Sequence, residues 1–242
     1  MVLNQRDELS NAFDEVASTY EVMVGLNPGY HRELLAAASA LVATLPPAAV
    51  VLDLGCGSGA STAALLRAAR RRGVRLQLIG VDASAEMLQQ ARKKRWPEGV
   101  RFVHAGVEDL PRLDLPAQVD GVFACYLLRN VSDRDAVIGL IRDQLARGAW
   151  LVAQDYSVRG DAGATRRWRA VNQSIILPLA ALVAHRLRLY RYLHQSVLEF
   201  DSIPELCARL ERAGFGQIAT RTVRGWQRGI LHTVRARRPA VC

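Results

Sequence analysis

At 242 residues, half of them hydrophobic and 23% charged, the chain has the bulk for one globular domain and the wrong composition for a disordered polymer. The net charge of +9 invites an acidic partner, but the arginines are spread along the chain without the interleaved aromatics of a nucleic-acid motif, so nucleic acid is not expected. Cys56, Cys125, Cys207 and Cys242 show neither CxxC spacing nor clustering with histidine, which excludes a readable zinc site or disulfide framework.

In chain order, the segment 1–47 reads as a helical preface. It opens on Arg6, Asp7 and Glu8 instead of the apolar run of a secretory signal, so a cytoplasmic protein is expected. From Ala48 onward, apolar runs alternate with segments of helical period, the rhythm of βα units wound about a parallel sheet. The spacing predicts a strand over Val50–Leu54, a helix from Ala60 to Arg72 stopped at Gly73, and a strand from Arg75 to Val81. Ser84 is the expected cap of a helix carrying Met87, Leu88 and Ala91, ended by Trp96-Pro97, and Val100–His104 makes a third strand.

A fourth strand is predicted over Val119–Tyr126, a helix capped by Ser132 and running through Leu145, and a fifth strand over Trp150–Asp155. The region 161–200 reads as a helical insertion interrupted by Pro178. Its apolar run Ile175–Ala184 is about half the length that crosses a bilayer, so membrane contact is peripheral at most. Ser202-Ile-Pro-Glu205 is a capping box opening a helix that closes at Gly214, and Gln217–Val223 with Ile230–Ala236 reads as an antiparallel hairpin at a sheet edge.

Chemistry concentrates where the first strand runs into Gly55-Cys-Gly-Ser-Gly59. Glycines at 55, 57 and 59 let a ligand approach the backbone, and the next helix presents unpaired amides. Gly55-x-Gly57-x-x-Ala60 also fits a dinucleotide fingerprint, so a nicotinamide oxidoreductase is one reading. Asp53, just before the first glycine, favours a cationic ligand over a pyrophosphate. Asp82, ending the second strand, suits either nucleoside by accepting ribose hydroxyls; a helix cap is its structural alternative.

The segment Asp53-Leu-Gly-Cys-Gly-Ser-Gly59 resembles motif I of class I S-adenosylmethionine-dependent methyltransferases. Phe13-x-x-Val-Ala-x-x-Tyr20, Gly29-x-His-Arg32, Leu128-Arg-Asn-Val-Ser-Asp133, Leu177-Pro178 and Tyr190-x-Tyr-Leu-x-x-Ser196 with Phe200 resemble the ubiquinone/menaquinone C-methyltransferase family. The resemblance implies an α/β fold: a doubly wound, mostly parallel seven-stranded Rossmann-like sheet with an antiparallel last strand and helical lids. Asp53, Gly55, Gly57, Gly59, Asp82, Ala83, Met87, Val107, Glu108 and Tyr126 are then expected at the cofactor. In Gly106-Val-Glu-Asp109 a glycine replaces the family's usual side-chain acceptor, so the Val107 backbone and an acid at 108 or 109 are its substitutes; surface helix capping is the alternative for those acids.

For catalysis, Arg129 and Asn130 follow strand four at the end where ligands collect, suited to stabilising a phenolate and orienting an oxygen or water; an ion pair and a helix cap are the structural alternatives. His31 and Tyr20 are further candidates from the preface. The implied activity is methylation of a carbon or oxygen of a small hydrophobic acceptor, quinol-like or polyketide-like. A cyclisation or isomerisation that leaves the cofactor unconsumed is the alternative from another class. A homodimer is compatible with the sequence.

Overall fold

The computed structural model describes residues 6–17, 25, 27, 29–178, 181 and 187–240. Seven strands form one sheet in the order β3-β2-β1-β4-β5-β7-β6. The strands are β1 (Ala48–Leu54), β2 (Arg75–Asp82), β3 (Val100–His104), β4 (Val119–Cys125), β5 (Leu145–Tyr156), β6 (Gly216–Thr222) and β7 (Leu231–Arg237). Pairing is parallel from β3 through β5, whereas β7 runs antiparallel to both β5 and β6. The expected seven-stranded sheet is therefore present, with the terminal hairpin placing β6 at the rim.

The helices are α1 (Arg6–Asp14), α2 (Tyr30–Val42), α3 (Ala60–Arg72), α4 (Ala85–Arg92), α5 (Arg134–Gln144), α6 (Ala162–Val171), α7 (Leu187–Glu199) and α8 (Ile203–Arg212). The two sheet faces carry separate cores. One joins Leu52, Leu54, Val122, Ile138, Ile141 and Leu206; the other joins Leu34, Leu41, Val51, Leu65, Leu78 and Phe123. Alternating β1 residues thus feed opposite cores, which is why the central strands read as continuous apolar runs.

Most predicted boundaries coincide with local chemistry. Gly73 caps α3 in the left-handed region, Ser84 Oγ accepts from the Met87 amide, and Ser202 and Glu205 complete their capping box. Others move. Asp133, not Ser132, caps α5 through the Ala136 amide, because a carboxylate at that position satisfies the first-turn donor directly. α4 ends at Arg92, before Trp96-Pro97. β5 begins at Leu145, where sequence periodicity extended the helix, since Leu145 pairs with Val119 beside an irregularity in the β4–β5 register. The insertion stays helical through Pro178: a π-turn over Asn172–Ile176 precedes the proline, and such a widened turn relieves the ring's conflict with the preceding carbonyls.

Candidate active site

The carboxyl ends of β1, β2 and β4 open into a cleft roofed by α1 and the start of α2. Its floor is the bend after Leu54. Gly55 and Cys56 amides both donate to the Val81 carbonyl, at 2.8 and 3.2 Å, and the Gly57 amide donates to Asp82 Oδ2 at 2.7 Å. Gly55, Gly57 and Gly59 all take positive φ, and a Cβ at Gly57 would meet no atom within 4 Å. That open space is what a ligand pressed against the backbone requires. Gly59 plays a different part: it precedes α3 at φ 91°, and a Cβ there would stand 2.7 Å from the Trp96 ring. Gly59 does not line the cleft; it serves the turn.

Two carboxylates lie at this bend. Asp82 lines the cleft, half-buried, with Oδ1 accepting from the Ser84 amide at 2.9 Å. Each oxygen retains a further lone pair for a ligand hydroxyl. Burial raises its pKa, partly countered by the Ser84 and Gly57 amides. Asp53 is wholly buried beneath the loop and is not part of the cleft lining. Ser61 and Thr62 hydroxyls donate to its Oδ2 at 2.8 and 2.7 Å, while Oδ1 has no hydrogen-bond partner among the described residues. Burial pushes the Asp53 pKa to about 7, with Asp82 adding repulsion against the two hydroxyl bonds. An orphaned carboxylate oxygen and a second carboxylate close enough to repel it fit a cationic ligand and would oppose a pyrophosphate.

The remaining expected donor-side residues, Ala83, Met87, Val107 and Glu108, line the same cleft. Met87 and Val107 are buried apolar walls, a setting for a flat base. Gly106 and Asp109 interact locally, the Asp109 carboxylate accepting from the Gly106 amide at 3.2 Å, so this acid caps its own 3-10 turn. Leu9, Ser10 and Phe13 of α1 were not singled out as cofactor contacts, yet all three line the cleft. Ser10 Oγ donates to the Ala83 carbonyl at 2.6 Å and Asp14 accepts from the Glu86 amide at 3.1 Å, which ties α1 to the β2–α4 junction. Phe13 within the Phe-x-x-Val-Ala motif was the available signal. Ser132, relieved of capping, also faces the cleft.

Tyr126 closes the far side. It holds φ 59°, unusual for a non-glycine residue, and three hydrogen bonds fix it there. Its amide donates to the Gln154 carbonyl at 2.7 Å, Asn130 Nδ2 donates to its carbonyl at 2.8 Å, and Gln154 Nε2 donates to its phenolic oxygen at 3.0 Å. Gln154 is itself oriented by Thr233, whose hydroxyl donates to Oε1 at 3.1 Å. The Tyr126 ring lies in a continuous stack with Tyr30, Tyr156, Trp168 and His194, neighbouring centroids 5.2–6.0 Å apart. Asn27 Nδ2 donates to the Tyr156 hydroxyl at 2.9 Å.

The catalytic candidates fare unequally. Asn130 lines the cleft, and its buried Oδ1 accepts no hydrogen bond among the described residues, leaving a polar atom for a ligand. Arg129 is 7% exposed and lies behind the stack instead of at the cleft surface, in a buried ion pair with Asp155 and 5.6–5.7 Å from the Tyr126 and Tyr156 ring centroids. Burial raises the Asp155 pKa, and Arg129 pulls against that rise. His31 is exposed, edge-on to Tyr30, and outside the cleft lining; helical geometry turns it away from its neighbour's buried face. Tyr20 lies outside the described residues.

The comparisons agree with this geometry. A ubiquinone/menaquinone biosynthesis C-methyltransferase of Methylococcus capsulatus is 30% identical over 206 residues, covering 84% of this chain and 82% of its own. A demethylmenaquinone methyltransferase of Clavibacter sepedonicus is 26% identical over 234 residues, covering 96% and 91%. The crystal structure of a Thermotoga maritima S-adenosylmethionine-dependent methyltransferase, described as a possible histamine N-methyltransferase, superposes with a TM-score of 0.63 at 17% identity, covering 95% of this chain and 99% of that one, and shares the fold. The model of the ubiE/COQ5 methyltransferase family matches residues 1–232. A glycine bend set over two carboxylates, on this sheet, in a chain matched over nearly its whole length, establishes that the protein belongs to the ubiE/COQ5 methyltransferase family and is an S-adenosylmethionine-dependent methyltransferase.

Proposed function

We propose that the protein methylates a ring carbon or a phenolic oxygen of a small hydrophobic aromatic acceptor, quinol-like before polyketide-like. The observation that carries this reading is the aromatic stack that begins in the cleft wall at Tyr30 and Tyr126 and continues through Tyr156 to Trp168. The aromatic rings and apolar side chains of this wall favour an aromatic guest. The relatives' names support a quinol, since they include ubiquinone/menaquinone and demethylmenaquinone methyltransferases.

S-adenosylmethionine supplies an electrophilic methyl group on a sulfonium. The chain's own contribution is alignment and exclusion of water. Gly55, Gly57, Asp82, Ala83, Met87, Val107 and Glu108 are the proposed donor-side contacts, with Asp53 acting through the field beneath the loop and Gly59 through the turn. Asn130 Oδ1 is the group placed to accept a hydrogen bond from an acceptor hydroxyl. Arg129 acts as a positioning residue. Asp155 neutralises most of its charge, so its work is to hold Tyr126 and Tyr156 instead of meeting a bare phenolate.

Incubation with methyl-labelled donor and a demethylated quinol should move the label into the quinol, identified by mass spectrometry. Label retained in the cofactor while the acceptor is rearranged would overturn the transfer reading in favour of a cyclase. Asp82→Ala should weaken donor binding roughly tenfold or more, by loss of a charged acceptor. Titration calorimetry reads that change, and an unaltered affinity would remove Asp82 from the donor site.

A further inference from the structure

The outer face of the helical insertion is strongly basic. Between Asp161 and Glu199 the sequence carries six arginines and no acid. The two bordering acids are engaged locally: Asp161 caps α6 through the Ala164 amide, and Glu199 accepts from Gln195. α6 buries Ala164 and Trp168, and Asn172 one turn on, and turns Arg166, Arg167 and Arg169 outward.

At the far end of the same run stands Ile175, 58% exposed and the only large hydrophobic residue so exposed among those described, with Pro178 and Ala181 exposed after it. α7 adds exposed Arg188 and Arg191. The link between β6 and β7 joins this face, because Arg167 Nη2 donates to the Arg228 carbonyl at 2.6 Å. That link brings exposed Arg224 and Arg228 around a half-buried Trp226. Among the described residues Arg166, Arg169, Arg191, Arg224 and Arg228 make no ion pair.

We propose that this face docks the protein on an anionic phospholipid surface, arginines at the headgroup phosphates and Ile175 with its apolar neighbours in the acyl boundary. An exposed apolar residue on a helical segment whose exposed charges are arginines is the composition of an interfacial helix, and arginine matches phosphate oxygens in pairs. Attachment is peripheral, since no described helix is long and apolar enough to cross a membrane. α6 and α7 also carry Trp168 and His194, the outer rings of the stack whose other end, Tyr30 and Tyr126, lines the cleft, so the docking face lies beyond the far end of that stack. A surface that stores hydrophobic acceptors would then lie against it. Lipid binding stands independently of which ring is methylated.

Sedimentation of the full chain with vesicles of phosphatidylcholine, alone or mixed with phosphatidylglycerol, at physiological ionic strength tests the proposal without reference to activity. The protein should pellet with the anionic vesicles only. The triple variant Arg166→Gln/Arg169→Gln/Arg191→Gln and the single variant Ile175→Glu should each lower the partition coefficient by at least about tenfold. Arg70→Gln/Arg71→Gln/Arg72→Gln on α3, which removes the same charge from another exposed surface, should change it less than about twofold. All substituted side chains are exposed, and circular dichroism melts confirm that each variant is folded. Equal losses for the two triple variants, an unaffected Ile175→Glu protein, equal pelleting with neutral vesicles, or no pelleting at all would each overturn the proposal; the last would point to an acidic protein as the partner.

Discussion

The two walls of the cleft are built on opposite principles. The side proposed for the donor is a single loop and the strand ends beside it: backbone amides, glycines and the Asp82 carboxylate, with Asp53 buried beneath them. The side proposed for the acceptor is backed by a stack from distant segments: Tyr30 from α2 and Tyr126 after β4 line the cleft, and behind them stand Tyr156 at the end of β5, Trp168 from α6 and His194 from α7. A ligand shared by a whole family can be met by local backbone geometry, whereas an acceptor pocket is defined by side chains that only the tertiary fold brings together.

The sharpest way to break this contrast is Arg129→Ala. It strands Asp155 as a buried unpaired carboxylate behind the acceptor wall, and should cost about 3–5 kcal/mol in denaturant unfolding. Because that loss would obscure any kinetic effect, the double variant Arg129→Met/Asp155→Leu is the informative partner. It should recover most of the stability yet leave turnover depressed, and full turnover would show that the pair matters only for folding.

The carboxylate buried beneath the glycine bend makes stability depend on pH. The folded pKa of Asp53, about 7, is raised above the unfolded value near 3.8, so its contribution is fully present below pH 3.8 and is lost as pH rises towards 7. Across that window the wild type should lose about 3–4 kcal/mol relative to Asp53→Asn. Unfolding curves of both proteins at several pH values check the difference, and parallel curves would place the Asp53 pKa near its unfolded value.

Gly59→Ala puts a side chain into left-handed backbone and against Trp96, for an expected cost of about 1–3 kcal/mol and a loss of donor affinity, with acceptor KM preserved. Thermal melts and calorimetry read both, and an unchanged melt would mean that Trp96 yields freely. The smallest effect is expected from Gln154→Leu, which frees the Tyr126 hydroxyl from its donor and costs about 1 kcal/mol. Its signature is a raised acceptor KM with unchanged donor affinity; the reverse pattern would reassign Tyr126 to the donor wall.

How much was legible follows the same division. β1 through β4, their register-setting apolar runs and the caps at Ser84 and Ser202 were readable because their causes lie within a few residues. Asp133 in place of Ser132 as the α5 cap, and Leu145 in a strand, were decided by competition between neighbours that periodicity does not rank. Asp82 at the cleft was legible from its strand-end position, but the burial of Asp53 was not, since Ser61 and Thr62 reach it only once α3 is laid against β1.

By itself, then, the sequence determined the family, the order of βα units and the glycine bend, all of which rest on short-range patterns of side-chain size and backbone freedom. Only the tertiary structure decided that Arg129 stands behind the wall with Asp155, that His31 is left outside, and that five rings from separate elements stack in line. Those facts depend on which strand ends lie side by side in the sheet and on how helices cross its edge, distances set by long-range packing and not encoded in any local run of residues.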